Sequence, residues 1–397
     1  MKILYVTTGL ETGGAEIMLY KILSKINREH FNPSVISLMD RGTVGDRIES
    51  LGIPVYTIGM ELGTPTLEAI WKLIQKIREI QPDLIQGWMY HGNIAAKLAS
   101  IFYFRKIPIL WSIHHSISSL KSEKKLTIAL IKLGASITKS IQQVIFVSQN
   151  SRNQHETLGY RSDNSCIIAN GFDVSLFKPS LTARLDFRTE LDLPEDSFLI
   201  GLICRFHPMK DHANFLNAAA LLTKQFPNVH FILAGREVDS KNHPLVELIK
   251  KLGLDNQVHL LGERRDTHRL AAALDIVSLA SAYGEAFPLV IGEAMSCGVP
   301  CVVTDVGDSG WIVGNTGRVI PPRNPEALAN AWQELIVMGA VGREDLGASA
   351  RVRIIECFSL DSVVAKYERL YDVMLATTLK SQSLQRLQKL QNIKNYD

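Results

Sequence analysis

Short apolar runs rich in β-branched residues recur along the chain, and amphipathic stretches separate them. In the first half, Ile3–Thr7, Ser34–Leu38, Val55–Ile58, Leu84–Gly87, Ile109–Ile113 and Val144–Ser148 predict strands. In the second half, Leu199–Cys204, His230–Ala234, Val258–Leu261, Ile276–Leu279, Cys301–Thr304 and Arg318–Ile320 do the same. Several of these runs are almost wholly apolar, as parallel strands covered on both faces should be. Between them lie helical patterns: Ala15, Met18, Leu19, Ile22, Leu23 and Ile26 keep to one helical face. The βαβα rhythm occurs twice, on either side of a polar joint at Phe177–Asp186 (FKPSLTARLD). It predicts an α/β chain of two doubly wound domains, 1–178 and 186–356. A helix over 357–378, with its best pattern at Leu360–Leu375, and a polar tail over 379–397 complete the expected organisation. The Gln/Lys-rich tail reads as a frayed helix or a disordered segment.

Open parallel sheets bind ligands at the carboxyl ends of their strands, and paired domains place sites in the gap between them. The residues that follow strands are therefore where chemistry is expected. Composition narrows the field without pointing to a reaction. With 397 residues, 46% hydrophobic and 21% charged, the chain is not of the disordered, collagen-like or coiled-coil class. A net charge of +3 is too mild to argue for nucleic acid. The charge is uneven, however, at +6 through Lys178 and −3 beyond it, which suits an anionic partner for the first half. Cys166, Cys204, Cys297, Cys301 and Cys357 are odd in number, lack C-x-x-C spacing and read as reduced, buried thiols of a cytosolic protein. Ile3–Val6 is too short for a signal-peptide core, and no stretch nears the ~18 apolar residues of a spanning helix. The expectation is a cytoplasmic protein, at most peripheral on a membrane surface.

The richest polar signal is Tyr283-Gly284-Glu285-Ala286-Phe287-Pro288-Leu289-Val290-Ile291-Gly292-Glu293-Ala294-Met295-Ser296-Cys297-Gly298. Pro288 suits the first turn of a helix and Gly298 its C-terminal stop. Glu285 then stands at the helix entrance and Glu293 within the helix. A helix entrance presents free N–H groups and positive dipole to a phosphate, and a carboxylate beside it would meet a neighbouring sugar hydroxyl. Arg205 and Lys210 flank the turn between the strand ending at Cys204 and a helix that Asp211 could cap. Such cations suit a diphosphate, because charge-assisted hydrogen bonds contribute roughly 1.5–3 kcal/mol each. The bland alternatives are ordinary polar helix positions for the glutamates and a solvated loop with a surface ion pair for the cations.

Taken in order, these segments resemble retaining GT-B glycosyltransferases of glycosyltransferase family 4. The Glu285-to-Glu293 spacing matches that family's E-x7-E element, and Arg205-Phe206-His207-Pro208-Met209-Lys210-Asp211 its Arg…Lys element. Gly13-Gly14-Ala15-Glu16 matches its first glycine-rich loop, and Ile168-Ala169-Asn170-Gly171-Phe172-Asp173 its joint between domains. Gly307 and Thr316–Pro322 match later landmarks, so the likeness spans about residues 1 to 375. Cys204 departs from the family's usual glycine before the arginine, which makes that turn less permissive.

The resemblance implies two Rossmann-like domains facing across a cleft, an acceptor-binding first domain, a nucleotide-sugar-binding second domain, and a C-terminal helix returning toward the first. It further implies that Arg205 and Lys210 bind the donor diphosphate. Glu285 would hold donor-sugar hydroxyls and Glu293 the ribose, with Ala286, Phe287, Pro288 and Leu289 forming the phosphate-binding helix entrance. Arg264, in Leu261-Gly262-Glu263-Arg264-Arg265-Asp266, would stand near the nucleotide base. Gly14 would let backbone approach the donor sugar and Gly13 the acceptor. His114, or else His115 beside it, would hydrogen-bond the donor sugar, and His91 would line the acceptor side. For each histidine the alternative is a satisfied structural residue, and for the glycines a plain strand-to-helix turn.

The activity so implied is transfer of a hexosyl or N-acetylhexosaminyl unit from a nucleoside diphosphate sugar, with UDP favoured, to an acceptor hydroxyl with retained configuration. The setting would be bacterial-type polysaccharide or glycolipid synthesis, with a sugar or lipid-linked sugar as acceptor. No Asp-x-Asp occurs, so no metal is expected, nor any cofactor. Whether Glu285 ever bonds covalently to the sugar stays open. Phosphorolysis, nucleotide-sugar epimerisation and non-catalytic nucleotide-sugar binding are the competing readings. Lys121, Lys124, Lys125 and Lys132, interleaved with Leu126, Ile128, Leu130 and Ile131, could form a basic amphipathic surface for an anionic membrane; a solvated helix is the simpler account.

Overall fold

A computed structural model describes residues 1–61, 66–103, 107–117 and 124–394, with side chains through 378 and at 380. The chain divides into two compact units, Met1–Ala169 with Val363–Asp397, and Asn170–Ser362. Unit 1 carries strands β1 (Lys2–Thr7), β2 (Asn32–Ser37), β3 (Val55–Thr57), β4 (Leu84–Trp88), β5 (Ile109–Ile113), β6 (Gln143–Phe146) and β7 (Ser165–Ile167). Its helices are α1 (Gly14–Lys25), α2 (Gly42–Ser50), α3 (Leu67–Ile80), α4 (Met89–Ile101), α5 (Lys125–Ile137) and α6 (Gln149–Thr157). The strands form one parallel sheet in the order β3-β2-β1-β4-β5-β6-β7.

Unit 2 opens with α7 (Leu181–Glu190) and alternates β8 (Phe198–Ile203), α8 (His212–Leu222), β9 (Val229–Ala234), α9 (His243–Lys251), β10 (Val258–Leu260), α10 (Thr267–Ala273) and β11 (Ile276–Leu279). It continues with α11 (Leu289–Ser296), β12 (Cys301–Thr304), α12 (Ser309–Val313), β13 (Arg318–Ile320), α13 (Pro325–Val337) and α14 (Gly339–Phe358). Its sheet is also parallel, in the order β10-β9-β8-β11-β12-β13. Strand order reverses beside β1 and β4 in unit 1 and beside β8 and β11 in unit 2. The loops after those four strands splay apart, and ligand crevices form there.

Each strand expected from the apolar runs is present, with ends shifted by a residue or two. The strand the pattern does not announce is β7, three half-buried residues after the polar Asp163-Asn164. Both cores are aliphatic layers with a few aromatics. In unit 2, Trp332 packs edge-on to Phe215 at 5.0 Å between ring centres, and its indole N–H donates to Ser278 Oγ at 2.7 Å. None of the five cysteines is in a disulfide bond. Among the described residues no helix is long and apolar enough to cross a membrane.

The last helix, α15, runs unbroken from Leu360 to Lys394, past the expected end at residue 378 and into the polar tail. Residues 376–394 contain no Gly or Pro and are rich in Leu, Lys and Gln, all good helix formers. What ties α15 into unit 1 is a buried relay. The Tyr371 hydroxyl donates to Gln86 Oε1 at 2.5 Å and lies 2.9 Å from the Tyr5 hydroxyl, while Gln86 Nε2 donates to Ser112 Oγ at 2.6 Å. Unit 2 begins at Asn170, ahead of the polar joint at Phe177–Asp186. Phe172 accounts for this. Its ring fills the space above Gly292, where any Cβ would collide with it, and stacks on Phe287 at 6.0 Å.

Unit 1 also holds a fully buried histidine that sequence patterns do not single out. His155 Nδ1 lies 2.7 Å from the Ser151 carbonyl, and its Nε2 lies 2.7 Å from the Tyr90 hydroxyl. The carbonyl can only accept, so Nδ1 carries the proton; with the ring kept neutral by burial, Nε2 accepts from Tyr90. Burial pushes its pKa down to about 4. Unfolded histidine titrates near 6.5, so between about 4 and 6.5 the unfolded chain binds a proton that the folded one refuses. Stability from this group is complete above pH ~6.5 and is lost as pH falls toward 4, by about 3 kcal/mol in full. Urea unfolding at pH 7.0 and pH 4.5 should therefore show a smaller acid-induced loss in His155→Gln than in the wild type. Equal losses would refute this assignment.

Candidate active site

In unit 2 the site is built where β8 and β11 end. After β8 the chain passes Cys204 and Arg205, makes a short 3-10 turn at Pro208–Lys210 and enters α8. Asp211 adopts φ +48 and its carboxylate accepts the Asn214 N–H at 3.1 Å, capping α8. Aspartate tolerates this left-handed geometry better than most side chains. The turn brings Lys210 against the loop after β11, where its ammonium forms an ion pair with Glu285 Oε1. The two side chains are 14% and 8% exposed. Ser281 Oγ donates to the same carboxylate oxygen at 2.5 Å. Both strong donors meet Oε1, which leaves Oε2 for another partner.

Backbone contacts lock the loops together. The Ala282 N–H donates to the Met209 carbonyl at 2.8 Å, and the Asp308 N–H to the Ala286 carbonyl at 3.2 Å. Gly307, at φ +61, lies under Glu285, where a Cβ would collide with the Glu285 carbonyl oxygen. Helix α11 then begins at Leu289, with Pro288 at its cap position rather than in its first turn. No side chain caps it and its first turn holds no acidic residue, so its leading N–H groups keep their capacity for an anion. Phe287 is buried among Phe172, Trp311 and Phe358, which anchors the helix entrance. Ala286 lies in the same loop, and Glu293 is half-buried one turn into α11.

Arg205 is exposed and lines a cavity of about 320 Å³ with Gly235, Arg236, Glu263, Arg264 and Thr267. Gly235 keeps that space open, since a Cβ there would strike the Cys204 carbonyl. Arg264 reaches the cavity wall, but its guanidinium is committed. It pairs with Glu190 at 2.7 Å and with both oxygens of Asp266 at 2.7 and 2.8 Å. Arg269 joins the same carboxylates. These hydrogen bonds raise the Arg264 pKa further and hold Asp266 well below the usual carboxylate range. The Arg264 guanidinium is therefore taken up by carboxylates of this chain.

In unit 1, Gly13 is the cap residue of α1, where a Cβ would meet the Glu16 carboxylate, and Gly14 is its first residue, with open space where a Cβ would stand. Glu16 in the same turn has its pKa raised by burial; the sequence signal was present in the Gly-Gly-Ala-Glu run, but no role followed from it. The Trp88 indole N–H donates to the Ala15 carbonyl at 3.0 Å, and the His114 ring packs on Trp88 at 4.3 Å. Trp88 thus links the start of α1, which follows the glycine pair, to His114 after β5. His115 points its ring to Tyr90 instead, at 6.0 Å. His91, in the first turn of α4, has its pKa lowered by burial and faces an apolar cavity. Lys121 lies outside the described residues; Lys124, Lys125 and Lys132 are exposed. Among the described residues no three His, Cys, Asp or Glu side chains are grouped to hold a metal ion.

Comparison with known proteins agrees with this layout. Residues 12–176 match the model for Glycosyltransferase Family 4, and residues 184–353 match Glycosyl transferases group 1. Among curated relatives, a putative glycosyltransferase EpsF of Bacillus subtilis is 24% identical over 77% of this chain and 79% of its own length. A D-inositol 3-phosphate glycosyltransferase of Rhodococcus erythropolis is 29% identical over 50% of this chain and 47% of its own length. Among solved structures, Anabaena HepE in complex with UDP superposes with a TM-score of 0.82 at 26% identity, covering 94% of this chain and 100% of that one. HepE in complex with UDP-glucose gives 0.77 at 27% identity, covering 96% and 100%.

The buried pair makes a prediction that does not depend on substrate. Lys210→Met leaves Glu285 without its cation and should destabilise unit 2 by about 3–5 kcal/mol. Adding Glu285→Gln should recover much of that loss, so the double-mutant cycle by urea unfolding should be strongly non-additive. Additive effects would show that the two groups do not hold one another.

Proposed function

We propose that this chain, a GT-B glycosyltransferase with a Glycosyltransferase Family 4 domain followed by a Glycosyl transferases group 1 domain, moves a hexosyl unit from a UDP-sugar to an acceptor hydroxyl with retention of configuration. The observation that carries this reading is the Lys210–Glu285 pair at the mouth of α11. It sets a cation, a carboxylate and free helix amides side by side, which is what a sugar diphosphate requires.

In this reading the diphosphate lies at the start of α11, between Lys210 and Arg205. An ammonium has three protons and Glu285 uses one, so Lys210 can serve carboxylate and phosphate together. Negative charge grows on the diphosphate as the bond from sugar to phosphate breaks. Fixed donors aimed at that charge stabilise the transition state more than the ground state. Glu285 Oε2 accepts a donor-sugar hydroxyl. With Oε1 already holding an ammonium and the Ser281 hydroxyl, the carboxylate is a weak nucleophile, so its task is to orient the sugar. The departing phosphate then takes the acceptor proton on the face it leaves, which retains configuration. Arg205 and Lys210 do the work a metal would do, so no metal is needed.

Glu293 on α11 binds the ribose, and the cavity beside Gly235 and the Arg264 backbone receives the base. Gly14 and His114 meet the donor sugar. Gly13 and His91 belong to the acceptor side, so unit 1 receives the acceptor. UDP is favoured as the nucleotide because the HepE structures, 26–27% identical, hold UDP and UDP-glucose.

UDP-glucose is the first donor to try, with product analysis for UDP release. Lys210→Ala and Glu285→Ala should each lower kcat at least 100-fold, about 3 kcal/mol of barrier, while keeping folded circular dichroism spectra. Chelation with EDTA should leave the rate unchanged. Near-wild-type transfer by both variants would defeat the assignment.

A further inference from the structure

Unit 1 contains a cavity of about 450 Å³ that the donor chemistry does not use. Its volume falls within the ~300–1,000 Å³ of small-molecule sites. Leu38, Met60, Leu73, Ile94, Leu98 and Leu130 supply most of its wall, from the loops after β2 and β3 and helices α3, α4 and α5. At the mouth Leu98 and Leu126 are 41% and 42% exposed. Soluble proteins seldom leave such an apolar surface open to water without an occupant.

Polar groups on the wall are few and lie in telling places. Thr8 follows β1 and His91 begins α4 just after β4, so both stand at the carboxyl edge of the sheet where its strand order reverses. Lys124 stands on the wall at the start of α5. Residues 124–137 carry Lys124, Lys125 and Lys132 and no Asp or Glu, so α5 gives the mouth a positive side. Among the described residues Glu61 is the single carboxylate on the wall. An occupant that fits is apolar along its body, anionic where it meets α5, and continuous with the sheet edge that leads to Gly13 and Gly14.

We propose that this cavity holds the hydrocarbon chain of an amphiphilic acceptor whose anionic head lies beside the lysines of α5. This rests on the reading that unit 1 receives the acceptor, and it narrows the acceptor to an amphiphile. A chain buried among aliphatic side chains gains roughly 0.8 kcal/mol for each methylene removed from water, which is about a fourfold gain in affinity per methylene. Affinity therefore depends on chain length until the cavity is filled.

Calorimetric titration with octyl phosphate and decyl phosphate below their micelle concentrations tests this, with inorganic phosphate and UDP titrated alongside. The expected result is one site per chain, at least tenfold tighter for decyl than for octyl phosphate, with no displacement by inorganic phosphate. Ala95→Phe fills the half-buried α4 side of the cavity, and Leu98→Glu places a like charge at its exposed mouth. Each should weaken decyl phosphate at least tenfold and leave UDP affinity within twofold. Equal affinity for the two chain lengths, displacement by inorganic phosphate, or wild-type affinity in both variants would overturn the proposal. A chain that binds UDP but not decyl phosphate would also overturn it, with the donor reading intact. Decyl phosphate binding without UDP binding would support the cavity and count against the donor reading instead.

Discussion

A carboxylate that is almost entirely buried stays charged only where donors surround it, and in unit 2 that constraint shapes everything around Glu285. Lys210 and Ser281 satisfy the same oxygen. The lysine arrives from the loop after β8 and the glutamate from the loop after β11, which are neighbouring strands. Holding the pair therefore fixes both loops against each other. A well-packed apolar pair would serve stability as well or better. What the ionic pair adds is a cation with spare donors and a carboxylate with a spare oxygen, both turned toward the entrance of α11. Fold and chemistry meet in that one interaction.

Small residues let the arrangement close. Gly307 brings the loop after β12 under the Glu285 carbonyl, and Gly235 brings the loop after β9 against Cys204. Each contact is backbone on backbone, so a side chain at either position would push a loop away from its neighbour. The aromatic cluster of Phe172, Phe287, Trp311 and Phe358 does the complementary work beneath α11. Bulk there holds the helix entrance in place, while the absence of bulk at Gly307 and Gly235 lets the loops converge.

Unit 1 uses a different device. Trp88 ends β4, reaches the Ala15 carbonyl at the start of α1, and carries the His114 ring on its face. One indole ties the end of β4 to the start of α1 and to the histidine after β5, without a charge. On the other side of α4 the helices leave aliphatic space instead of filling it. The same helix thus presents His91 to a cavity and backs the sheet edge that carries the glycine loop.

Much of this was readable along the chain. Apolar β-branched runs such as Ile109–Ile113 and Cys301–Thr304 become strands as expected, because strand formation in a buried parallel sheet depends on local side-chain character. The positions after strands, rich in Gly, Glu, Lys and Arg, flag the site for the same reason. The short β7 escaped notice and the tail was left open between a frayed helix and a disordered segment, since neither has a strong apolar period. Arg264 was expected near the nucleotide base from its place in Gly262-Glu263-Arg264-Arg265-Asp266, but no local pattern showed that Glu190, 74 residues away, holds its guanidinium. Ser281 and His155 carried no signal at all. The sequence determined which elements form and where charged residues follow them, because those depend on neighbours along the chain. Only the tertiary structure decided which charges are paired, which ring is neutral and where space is left open. Pairing and desolvation depend on what distant segments bring to a point, and no local pattern records that.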